Sequence, residues 1–235
     1  MDDVDPRLSR LILACTVLGA GLNLVSSIGQ RGAGRTVAFF TLGIGLPAIG
    51  ELLATGPLGL LRHRTRPRVA GVPIGILLGW YCAIYGSRAA AERILSVARL
   101  NEGARRRLLP ITAALLGTDL DLILDPAGLD AGLWEWNSNG PYATEVEGPN
   151  GRSGVPLVNY AGWLLLHAGA VSLDGRLFGE RGTAGRLPAV LLLPPYLAAA
   201  AWAIKTQRPR YLLLSLPSLA ALLAALTAGP VADGK

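Results

Sequence analysis

The chain has 235 residues, of which 51% are hydrophobic and only 16% charged. That balance is too apolar and too sparsely charged for a soluble domain. The net charge of +6 does not signal nucleic acid, because the arginines cluster in short loops, as in RHRTRPR (62–68) and ARRR (104–107), where anionic lipid headgroups are the natural contact.

Apolar residues come in long blocks rather than in an amphipathic rhythm, and about 20 such residues cross about 30 Å of hydrocarbon. Seven spans are predicted, at 8–28, 36–56, 72–92, 107–125, 155–173, 186–205 and 209–228. The expected fold is an all-α, multi-pass helix bundle in the cell membrane, a single domain over 1–235. The first span is long, lacks a small-residue cleavage site and follows Asp2, Asp3 and Asp5, so it is expected to be retained rather than cleaved as a signal peptide. Its Cys15, and Cys82 in the third span, suggest neither a disulfide framework nor a zinc site. Span two ends in Glu51 and the TGP of 55–57. Span three opens on GVPIGILLGW (71–80), and Arg88 near its far end is expected to snorkel. Span four ends in TDLDLILDP (118–126), followed by a long loop that contains GLWEW (132–136). Span five opens on GVPLVNYAGW (154–163). Pro194-Pro195 and Pro217 are expected to kink the last two spans rather than end them. Lys and Arg are nearly balanced between the two sides, so the positive-inside rule sets no orientation.

The frame G-V-P, five residues, G-W occurs twice, and both copies open spans on one side of the membrane. A proline in the first helical turn loses no hydrogen bond. The tryptophan seven residues on, Trp80 or Trp163, lies about 10 Å deeper at 1.5 Å per residue. The repeat predicts two parallel helical hairpins, 36–92 and 107–173, walling one pocket.

The acids gather on that same side. Asp121 and Asp125 are four apart and share a helix face, while Asp119 points elsewhere. Acids within a span, and at a helix C-terminus, are costly placements, which makes Glu51, Asp121 and Asp125 candidate catalytic groups. The structural alternative is bonding to neighbouring helices or headgroup arginines. Asn159 replaces the Ile76 of the first copy and, with Trp163 and His167, forms a polar and aromatic stripe at four-residue spacing. It either aligns a carboxyl group or water, or glues helices together. His167 fits a satisfied structural histidine or a substrate contact, and His63, among loop arginines, is expected to be solvated. Trp134, Trp136 and Tyr142 form either an interfacial belt or a cap over the acids.

No nucleophile–base arrangement, Gly-rich phosphate loop or Cys/His cluster is legible, so no metal site is expected. Carboxyl groups close together in an apolar chamber hold a proton at neutral pH and can deliver it. Aromatic faces stabilise a developing cation. A proton donor beside cation-stabilising rings in a membrane suits protonation of an alkene in a lipid-soluble isoprenoid, with the carbocation captured by water or by another double bond.

These residues resemble the CruF-type carotenoid 1,2-hydratases, which include bisanhydrobacterioruberin hydratase. The family pattern is matched by Glu51 with TGPLG (55–59), GVPIGILLGW, DLILDP (121–126), GLWEW and GVPLVNYAGW, in order over 51–163. The chain departs from it at LLRHRTR (60–66), where the family carries tyrosines, and over 141–157, where the family is shorter. The resemblance implies addition of water across the terminal C1=C2 bond of an acyclic carotenoid, giving a tertiary alcohol without an organic cofactor. The partners it implies are the carotenoid, water and membrane lipids, with no nucleic acid. Three other readings share the residues: an isoprenoid cyclase using the same protonation, a magnesium-dependent prenyl-diphosphate enzyme using Asp121 and Asp125, and a small proton-coupled transporter.

Overall fold

The computed structural model describes residues 4–98, 100–137, 154–179 and 185–227. It is helical throughout, apart from two pairs of very short strands. Helices α1 (Pro6–Arg31), α2 (Ala33–Thr55), α3 (Ile74–Val97), α4 (Glu102–Asp130) and α5 (Leu157–Phe178) are followed by the short α6 (Arg186–Val190), α7 (Leu193–Lys205) and α8 (Pro209–Thr227). Strand β1 (Leu61–His63) pairs with β4 (Trp134–Trp136), and β2 (Arg68–Val69) with β3 (Val72–Pro73), both antiparallel.

Helices run through all the apolar stretches of the sequence. Among the described residues, α1, α2, the α6–α7 pair and α8 are long and apolar enough, by length and composition, to cross a membrane. Their outer faces carry exposed Leu11, Leu18, Val25, Val37 and Leu213, an apolar belt that water does not favour. α6 and α7 are separated at Leu191–Leu192, just before Pro194-Pro195, whereas Pro217 lies inside an unbroken α8. So the first prolines follow a break, and the last one is absorbed.

α3 is the axis. It packs against α1, α2, α4, α5, α6 and α8, and residues from Trp80 to Arg93 are buried with the single exception of Cys82. A helix enclosed on every side by other helices has no lipid face to keep apolar. At its C-terminal end this permits a charged cluster. Arg31 of α1 donates to both carboxylate oxygens of Asp174 on α5, at 2.5 and 2.6 Å. Arg88 donates to the same Asp174 and to Glu92 Oε1 at 3.1 Å, and both guanidinium groups lie over Phe39 of α2. Arg88 is therefore fully buried and paired, not snorkelling as its position near the end of the span suggested. Buried charges persist where partners replace water, and breaking such a pair is strongly destabilising.

Candidate active site

The opposite end of α3 holds the acids, and local sequence explains how they meet. Both G-V-P turns adopt one backbone: Gly71 and Gly154 have φ of 88° and 94°, which glycine tolerates, and Pro73 and Pro156 are extended N-caps. The prolines thus sit one position before the first helical turn in which they were expected. Seven residues on, Trp80 and Trp163 stack with ring centroids 4.0 Å apart. The two copies of the phrase meet through their tryptophans.

A second device is the β1–β4 clip. β1 follows α2, which carries Glu51, and β4 follows α4, which carries Asp121 and Asp125. Pairing sets His63 opposite Trp134 and Leu61 opposite Trp136. Backbone bonds from Arg64 N to Leu133 O and from Asn137 N to Leu60 O, both 2.8 Å, extend the clip at either end. Gly128 then lets the Trp134 indole lie flat on α4, because a Cβ there would collide with its ring.

The result is two linked carboxylate stations. At the first, one amide nitrogen of Asn159 donates to Asp121 Oδ2 and to Asp125 Oδ2, each at 2.6 Å. Asp125 Oδ1 accepts from the indole N–H of Trp134 and, at 3.3 Å, from that of Trp136. Both aspartates are 3% exposed, which leaves these donors in place of water. At the second, Glu51 Oε1 accepts from Trp80 Nε1 at 2.9 Å, and Oε2 lies 2.7 Å from His63 Nε2. The stations are joined by the edge-on contact of the His63 and Trp134 rings, centroids 6.3 Å apart. Glu51 lies within electrostatic reach of both aspartates. Under the tryptophan stack sits His167, whose ring is stacked on Trp163 at 5.2 Å and whose Nδ1 lies 3.0 Å from Trp163 O.

Glu51, Asp121, Asp125, Asn159, Trp80, Trp163, Trp134 and Trp136 are thus brought to one end of the bundle, with His167 beneath them at the middle of α5; Tyr142 lies outside the described residues. The tryptophans of GLWEW bond the acids rather than only forming a belt. Two expectations are corrected. α4 continues to Asp130, so Asp121 and Asp125 are not in its last turn; Pro126 removes one backbone donor without ending the helix. His63 is 4% exposed and holds Glu51, instead of being solvated among the loop arginines. Its strand position, which alternates inward His63 with outward Arg62, is the signal that could have revealed it. Asp119 points elsewhere, as expected, accepting from the Tyr196 hydroxyl of α7 at 3.2 Å.

A helical bundle with apolar outer helices long enough to cross a membrane, and a cluster of buried acids capped by aromatic rings, is the architecture of a membrane protein. The chain matches the carotenoid biosynthesis protein family over residues 11–227 and belongs to it. Its role therefore lies in carotenoid biosynthesis. No curated protein and no solved structure matches the chain.

Proposed function

We propose that the chain is a hydratase, adding water to the terminal C1=C2 bond of an acyclic carotenoid. The observation that carries this is the unequal hydrogen bonding of the aspartate pair. Asp125 accepts three N–H donors and suits the carboxylate form; Asp121 accepts one and serves as the acid. Asp121 protonates C2, because the cation at C1 is then tertiary. The ring of Trp163, backed by the Trp80 ring stacked on it, stabilises that cation. Water attacks C1 and loses its proton to Glu51, which His63 and Trp80 orient, and the tertiary alcohol leaves. Solvent returns the proton from Glu51 to Asp121, so no cofactor enters the balance.

The same reading takes the helices as seven crossings of the cell membrane, and 36–92 with 107–173 as two copies of one hairpin. The like backbones of the two G-V-P turns and the meeting of Trp80 with Trp163 support it. Expression in a lycopene-producing host tests the reaction. Pigments heavier by one or two waters are expected. A cyclised pigment of unchanged mass would assign the cation to ring closure, and unchanged lycopene would overturn the chemistry.

A further inference from the structure

At the far end of the bundle, a groove of about 620 Å³ runs between the N-terminal half of α4 and the C-terminal half of α5. We propose that it binds one anionic phospholipid, phosphate on its arginines and acyl chain along its floor. Four arginines line it, Arg88, Arg106, Arg107 and Arg176, with no carboxylate among the lining residues. Leu109 and Val171 give it an apolar wall, so it matches an amphiphile better than a free ion.

The deep end supplies a second, independent feature. Arg88 is fully buried, yet its Nη2 has no hydrogen-bond partner among the described residues. Its Nε and Nη1 are engaged by Glu92 and Asp174, so the guanidinium is held rigidly while one nitrogen stays available. A buried guanidinium donor without a partner is costly, and a phosphate oxygen relieves that cost. Arg107 and Arg176 are exposed at the rim, and Arg106 joins them while paired to Glu102 at 3.1 Å. Arg107 lies about 20 Å from Asp121 along α4, at 1.5 Å per residue, so the lipid phosphate does not depend on the reaction proposed above.

The test is native mass spectrometry of the full chain in detergent, titrated with phosphatidylglycerol or phosphatidylcholine. The wild type should hold the first about tenfold or more tighter, and the Arg107→Gln/Arg176→Gln variant should lose that preference. Both substitutions are at exposed positions, and an unchanged melting temperature will show that the bundle is intact. Equal affinity for the two lipids in the wild type, or an undiminished preference in the variant, overturns the site. Tight binding of inorganic diphosphate with equal affinity for the two lipids also overturns it, in favour of a soluble phosphate compound.

Discussion

Replacing Asp121 by asparagine removes the transferable acidic proton and changes the side-chain volume very little. The side chain takes part in one hydrogen bond among the described residues, from Asn159 at 2.6 Å, and an amide oxygen can accept that bond. Folding stability should therefore change by no more than about 1 kcal/mol. Turnover should not survive. A positioned general acid contributes roughly 10²–10⁴-fold, which is about 3–5 kcal/mol of barrier. Asp125→Asn differs in a way the geometry specifies. Both Asp125 oxygens accept N–H donors, so an amide must point its NH₂ at one of them. That variant should lose turnover and also about 1–3 kcal/mol of stability. Asp119→Asn, whose neighbour is Tyr196 on α7, should hydrate normally. The assay is hydroxylated carotenoid formed per unit of folded enzyme in liposomes, read by mass, beside a melting curve for each variant. An inactive Asp119→Asn alongside active Asp121→Asn and Asp125→Asn would refute the assignment of the acid to this helix face.

Glu51→Gln should reduce hydration by about 10²-fold or more, since an amide cannot take the proton from water. His63→Phe should impair turnover less than Glu51→Gln while lowering stability, because it removes the 2.7 Å bond that orients the base; equal activity in His63→Phe and wild type would sink the role given to His63. Gly128→Ala should destabilise the fold by about 1–3 kcal/mol and shift Trp fluorescence, because the new Cβ meets the Trp134 ring. EDTA should leave product formation unchanged, and a loss restored by magnesium would favour prenyl-diphosphate chemistry.

Much of the site was legible because its residues violate the rules of their surroundings. Glu51, Asp121 and Asp125 are acids in apolar helices, and Asn159 breaks the apolar interior of a repeated phrase. Their four-residue spacing placed Asp121 with Asp125 on one helix face and Asp119 on another, as the hydrogen bonds show. His63 was not legible in this way. Four arginines and a proline surround it in LRHRTRPR, and that composition describes a solvated loop. What buries it is a three-residue strand whose partner is about 70 residues away, at 134–136. Tertiary pairing of that range leaves no periodic trace in so short a stretch. The end of α4 was misjudged for a related reason. Proline biases the residue before it away from helix, but packing of α4 against α3, α5, α7 and α8 outweighs that bias at Pro126.

The apolar pattern has its own logic. α3, α4 and α5 fall outside the group that length and composition alone mark as candidate membrane spans. These are the helices that carry Arg88, Glu92, Asp121, Asp125, Asn159, His167 and Asp174. Hydropathy averages over a whole segment, whereas the charged Arg88, Glu92, Asp121, Asp125 and Asp174 of these helices are all on buried faces. Ala113, Ala114, Asp121 and Asp125 of α4, and His167, Ala170 and Asp174 of α5, are buried. Each polar group there is answered by another helix: Asp174 by Arg31 and Arg88, and Asp121 and Asp125 by Asn159. α4 and α5 keep apolar residues such as Ile111, Leu115 and Leu165 on their exposed faces, while α3, α4 and α5 bury charged groups at both ends, acids at one and Arg88 with its partners at the other. A segment's polarity in such a bundle therefore reports what its buried face meets. The test of that principle lies in α3 itself. Arg88→Leu raises its hydropathy, yet it leaves Asp174 and Glu92 short of a buried partner, so the more apolar helix should give the less stable protein.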